Sequence, residues 1–172
     1  MSLRGCWRRP NRRQPLHLFS RRAHHARVAI SDTHNLQRFI DAQRNDFDLA
    51  LNELQAGSKQ SHWIWYIFPQ LAGLGLSTTA QYYAISSLEE ACAYLAHPLL
   101  GPRLRNCVEA IMPWSGLRST QQILGQIDAL KLRSSLTLFD RVEPSGLFAR
   151  CLAAFYDGQP DERTLALLNA AQ

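Results

Sequence analysis

From Asp32 onward, apolar residues recur three and four positions apart almost without interruption, and this periodicity is what most restricts the fold. Leu36, Phe39 and Ile40 form one stripe. Phe47, Ala50, Leu51 and Leu54 form another, ended by Gly57. Asn45 followed by Asp48 has the form of an N-cap with an acidic first turn, which predicts a break into two helices near Arg44. Ser87 with Glu90 reads as a capping box for a helix that carries Cys92, Leu95 and Ala96 and stops at His97 and Pro98. Leu100, Leu104, Val108 and Ile111 continue at helical spacing up to Pro113. Two antiparallel helices joined by a tight turn over 97–101 are the expected result.

Ser119 with Gln122 is a further capping box. The stretch from Gln126 to Val142 is apolar on two sides, with Ile127, Leu130 and Leu138, joined by Ser134, on one and Leu132, Leu136 and Phe139 on the other. A helix of that kind belongs at the centre, packed by neighbours on both faces. Leu147, Phe148, Cys151, Leu152 and Phe155 mark the next helix, up to Gly158, and Asp161 caps a last short one. No alternating strand pair with hairpin chemistry occurs. Trp63 to Phe68 has residues that suit a strand, but a lone strand has no partner, so it is assigned to a buried helix ending at Pro69. The expected fold is a compact all-α domain of six to eight short helices over 32–172.

The net charge of +5 is unevenly spread. Residues 1–31 hold eight arginines and no carboxylate, leaving eleven basic against fourteen acidic residues in the remainder. The basic balance therefore says nothing about a nucleic-acid face on the domain. Any such role would rest on the extension, whose composition suits a disordered leader, a targeting segment or a basic arm. Cys6, Cys92, Cys107 and Cys151 are widely spaced, with no zinc-ligand pattern. Three of them sit in apolar helical patterns, as reduced, buried thiols do. With no secretory h-region and no apolar run of membrane length, the expectation is a cytoplasmic protein without metal or cofactor.

The segment from Ser58 to Ser77, SKQSHWIWYIFPQLAGLGLS, is the richest in chemistry. It sets a polar head of Lys59, Ser61 and His62 beside rigid aromatic walls and follows with a glycine turn, the composition of a pocket wall. Ser61-His62-Trp63 through Trp65, Ile67 to Leu71 and Gly73-Leu74-Gly75 also form the most specific part of a wider pattern. That pattern opens with Leu36 to Phe39 and Asp41 to Gln43. It continues through Tyr83 to Ile85, Tyr94-Leu95, His97-Pro98, Leu100 to Leu104, and Asp128, Lys131-Leu132, Ser134-Ser135 and Thr137 to Phe139. In these residues the chain resembles the bacterial and fungal family catalogued as domain of unknown function 1810. The resemblance runs from Asp32 to the C-terminus and implies a compact all-α fold, with no established activity to carry over. Some members are labelled calpastatin, yet inhibitors of that type are disordered repeats, whereas this chain is globular and non-repetitive.

His62 is the leading candidate for a general base or phosphate donor, with a core-edge histidine bonded to backbone as the alternative. Trp63 and Trp65, two apart, point about 200° from one another on a helix, so only one can line a pocket. Lys131 and Ser134 share a helix face, next to Ser135. A lysine on a central helix needs a partner, either Asp128 at i−3 or a bound anion. His97, before Pro98, suits a helix boundary. A triad of His62, Asp128 and Ser134 or Ser135 would lack a nucleophile elbow and an oxyanion motif. Two functions follow. In the first, Lys59, Ser61, His62, one of Trp63 and Trp65, Gln70, Lys131, Ser134 and Ser135 converge on a small nucleotide- or phosphate-like anion. In the second, the aromatic segment is a noncatalytic protein-interaction or homodimer patch.

Overall fold

The computed structural model describes residues 33–170. The arginine-rich stretch and Cys6 lie outside them. Among the described residues the fold is all-α, with nine α-helices: α1 Gln37–Gln55, α2 Ile64–Ile67, α3 Thr78–Tyr82, α4 Leu88–Ala96, α5 Leu100–Ile111, α6 Thr120–Leu124, α7 Gln126–Val142, α8 Leu147–Tyr156 and α9 Glu162–Ala170. A 3-10 turn, Met112–Trp114, follows α5. The nearest approach to sheet is a single parallel bridge between Leu71 and Ile85, made by Ile85 N–H on the Gln70 carbonyl and Ala72 N–H on that of Ile85. No described helix is long and apolar enough to cross a membrane.

Helix α7 spans the stretch predicted to be central and touches α2, α4, α6, α8 and α9. Leu132, Leu136, Leu138 and Phe139 are buried there, with Tyr94 and Phe148 packed on Phe139. The second apolar side is only half covered: Ile127 and Leu130 are 70% and 57% exposed. The helix is central at its C-terminal half and open at its N-terminal half.

Several local predictions have visible causes. Gln122 N–H donates to Ser119 Oγ while Ser119 N–H donates to Gln122 Oε1, a complete capping box for α6. Ser87 caps α4 through Glu90 N–H, and His97 Nδ1 accepts from the N–H groups of Leu99 and Leu100 at the α4 to α5 turn. Trp63 to Phe68 contains the short helix α2, as expected. The predicted break near Arg44 does not occur. Helix α1 runs unbroken because Gln43, facing inward, is buried with its side-chain N–H donating to the Tyr66 carbonyl and the Tyr94 hydroxyl. Asn45 and Asp48 are exposed residues of that helix rather than its cap. Cys107 and Cys151 are buried, but Cys92 lies on the exposed side of α4.

Arg38 closes the N-terminal side of the domain. Its five N–H groups donate to the carbonyls of His34, Asn35, Tyr82 and Ala84 and to Glu90 Oε1, at 2.6–3.0 Å, so the guanidinium is fully used. Glu90 also accepts from Ser86 N–H and Oγ–H at 2.8 and 2.6 Å, tying α1, the 82–86 segment and α4 together. Both charged side chains are nearly inaccessible. Removing one partner strands the other as a buried charge, so Arg38→Ala is expected to cost about 3–5 kcal/mol, read as a lower urea midpoint at unchanged slope.

Candidate functional site

The polar head of the aromatic segment is held by a residue of α1. Gly57 ends that helix with φ +64°, and the Trp114 indole packs so closely that an added Cβ would lie 2.5 Å from it. The chain then folds back over Glu53. This buried carboxylate accepts from Gln60 N–H (2.8 Å), Ser61 N–H (3.1 Å), Ser61 Oγ–H (2.5 Å) and Trp63 Nε1–H (2.8 Å). Burial alone would raise its pKa, but the donors from Ser61, Gln60 and Trp63 outweigh it and hold the carboxyl below its ordinary range. Ser61 and Trp63 are thereby structural, with the Trp63 indole inside the core and the Trp65 indole at the surface, as their helical spacing demanded.

Lysines from two elements meet at Asp128, on the first turn of α7. Lys59 Nζ lies 2.8 Å from Oδ2 and donates to the Ser61 carbonyl at 2.5 Å. Lys131 Nζ lies 2.8 Å from Oδ1. Each ammonium also sits over an indole, Lys59 at 5.1 Å from the Trp63 ring centre and Lys131 at 4.5 Å from that of Trp65. Burial would raise the Asp128 pKa, yet the two lysines overcome it and keep the carboxyl depressed. Lys59 is 8% exposed and belongs to the interior, while Lys131, at 19%, reaches a groove.

That groove encloses about 440 Å³. Trp65 and Gln70 form one wall, and Leu74, Gly75 and Leu76 of the glycine turn continue it. Ile127, Leu130, Lys131 and Ser134 of α7 face them, with Asp161 and Arg163 at the start of α9. Asp161 Oδ2 is occupied by Thr164, accepting from its N–H and hydroxyl as the predicted cap. Four of the candidates, Trp65, Gln70, Lys131 and Ser134, therefore share one concavity. His62 does not join them: it is exposed and lines a neighbouring hollow with Trp65, Tyr66 and Tyr82. Ser134 Oγ donates to the Leu130 carbonyl, and Ser135 Oγ is buried without a hydrogen-bond partner. With Asp128 committed to two lysines and His62 in the neighbouring hollow, these residues do not form a charge-relay triad. Among the described residues no cluster of three His, Cys, Asp or Glu side chains is placed to hold a metal ion.

Sequence reasoning missed Glu53, Ile127 and Leu130 as site builders, and Asp161 with Arg163. Glu53 lies three residues after Ala50 on the buried stripe of α1, and an acid in that register is the signal that would have found it.

The two depressed carboxyls make the site sensitive to acid. Their folded values lie below the ordinary 4.5 of Glu53 and 3.8 of Asp128, so the stability they contribute is complete above those values and is lost as pH falls through the lower, folded-state values. Glu53→Gln is expected to destabilise the protein near neutral pH and to narrow its deficit against the parent as pH falls below 4.5, in urea melts run across that range. A deficit constant with pH would remove the carboxylate from this role.

The fold has a counterpart in a solved structure. The crystal structure of the conserved hypothetical protein Rv1873 from Mycobacterium tuberculosis superposes with a TM-score of 0.78 at 49% sequence identity, over 80% of this chain and 99% of that one. No curated protein sequence matches the chain. The model of the family described as "Protein of unknown function (DUF1810)" matches residues 33–168, the whole span that holds α1 to α9 but for the last residues of α9, and the chain belongs to that family.

Proposed function

We propose that the groove between the aromatic segment and α7 binds a small organic anion with a flat or apolar body, of nucleotide-like or phosphate-bearing type. The observation that carries this reading is the charge count at Asp128. Two partly buried lysines share a single carboxylate, so one positive charge is left over beside the groove. An uncompensated ammonium in a partly dehydrated setting favours an anion from solution. Lys131 meets the charged end, Gln70 supplies a neutral donor and acceptor, and the Trp65 indole with Leu74 and Leu130 takes the apolar body. Arg163 and Asp161 both line the opening and together add no net charge, so the excess cation is the one at Asp128.

Thermal unfolding of the full chain against nucleotides, sugar phosphates, aryl phosphates and inorganic phosphate tests this. A ligand at about 100 times its dissociation constant stabilises the native state by about 2.7 kcal/mol. Lys131→Gln is expected to abolish the shift, and Gln70→Ala to reduce it. His62→Ala is expected to leave it in place, because His62 lines the neighbouring hollow. A shift retained in Lys131→Gln, or no shift with any anion, overturns the reading.

The exposure of Leu76, at 90%, beside Ile127 and Leu130 favours a second reading, a protein-interaction or homodimer patch. Under it the full chain self-associates with concentration in sedimentation equilibrium, and Leu76→Glu with Leu130→Glu returns it to monomer. A monomer at all concentrations rules out the dimer form of that reading.

A further inference from the structure

The hollow that takes His62 has a different chemistry from the groove. It encloses about 560 Å³, and Trp65 and α3 border both: Ser77 and Ala80 line the groove, Thr78 and Thr79 the hollow. Aromatic rings dominate its walls, from Trp65, Tyr66, Tyr82 and Tyr83. Tyr82 and Tyr83 have ring centres 4.9 Å apart at 83°, and Tyr66 and Tyr83 are 5.2 Å apart at 59°. Rings at such angles meet edge to face or tilted rather than stacked, along a shallow and open hollow.

Next to these rings, outside the lining itself, stands the carboxylate of Asp46, in no ion pair among the described residues. The Tyr66 hydroxyl donates to Asp46 Oδ2. The same carboxylate helps burial to push the Tyr83 hydroxyl upward in pKa, so its charge is felt at two of the walls. Among the described residues no Lys, Arg or His side chain lies within 4.0 Å of Asp46. The Arg38 charge felt at Tyr83 is matched by Glu90, and the Lys131 ammonium over the Trp65 ring is paired with Asp128. The hollow thus combines π faces with an unbalanced negative charge.

We propose that this hollow is a binding site for an alkylated ammonium group. An anion would face both Asp46 and the negative faces of the rings. A bare metal ion would lack ligands, since no acidic or imidazole cluster is present among the described residues. A quaternary ammonium spreads its charge over methyl groups, needs no hydrogen-bond acceptor and is attracted to ring faces as well as to a carboxylate next to them. The site lies outside the Lys131 groove and stands whether or not that groove binds an anion.

Titration of the full chain with tetramethylammonium chloride, followed by tryptophan fluorescence against sodium chloride of equal ionic strength, tests the site. Saturable binding beyond the sodium control is expected. Tyr82→Ala is expected to weaken it by about 3-fold to 30-fold, the range that one lost cation–π face gives. Tyr82 is 58% exposed, so its removal spares the core. Tyr82→Phe keeps the face and the affinity, and Asp46→Asn weakens binding. Choline and a trimethyllysine peptide serve as further arms, and whichever binds tighter assigns the source of the ammonium group. A response no different from sodium chloride, or affinity unchanged in both Tyr82→Ala and Asp46→Asn, overturns the proposal.

Discussion

The site depends first on one buried carboxylate. Glu53 takes four hydrogen bonds from a four-residue stretch that has no regular structure of its own, and so converts the 60–63 segment from a surface loop into a fixed wall. A carboxylate in that position would be unfavourable with even one donor missing, because burial penalises the charged form. With all four present it sets the direction of Trp63, and Trp63 sets the phase of α2 and therefore the outward placement of Trp65. Helix α1 repeats the device along its length. Arg38 fixes the 82–86 segment, Gln43 the end of α2, Asp46 the Tyr66 hydroxyl and Glu53 the polar head. Each is a polar residue turned toward the protein, and each holds a segment too short to hold itself.

Helix α7 shapes the other wall by being unevenly covered. Its C-terminal half is enclosed by α4, α8 and α9, with Phe139 in a chain of aromatic contacts from Phe39 through Tyr94 to Phe148. Its N-terminal half faces the glycine turn across open space. The turn cannot close that space, because Gly75 already packs against Ala80, where an added Cβ would lie 2.4 Å from the alanine Cβ. Leu76, Ile127 and Leu130 consequently stay exposed around a groove instead of meeting in a core. Concavity here follows from backbone packing, and the lysines lie where it opens.

How far this was legible in the sequence depended on the range of the interaction. The limits of α7, the α6 capping box, the His97 turn and the opposed directions of Trp63 and Trp65 rest on contacts within a few residues, and the pattern of the chain contains them. The continuity of α1 through Arg44 was not legible, since it depends on Gln43 reaching residues 23 and 51 positions away. The second apolar side of α7 was overread for a related reason. Periodicity reports which residues share a face, not whether another element arrives to cover it. Likewise, the sequence marked Lys131 as needing Asp128 or an anion, but not that Lys59 would reach the same carboxylate from 69 residues earlier in the chain.

That shared carboxylate couples the interior of the site to its mouth. Lys59 is too enclosed to meet a ligand, yet it determines how much of Asp128 remains for Lys131. With Lys59 in place, Asp128 is neutralised from within and the charge of Lys131 is effectively free to act outward. Without it, Lys131 and Asp128 would form an ordinary i, i+3 pair whose charges cancel. The indoles reinforce the arrangement, because an ammonium over a ring face keeps a favourable contact beside its carboxylate. The positive character of the groove is thus produced by a residue that does not line it, held in turn by the loop that Glu53 fixes. The chain of cause runs from one acid on α1, through a lysine in the interior, to the lysine at the surface.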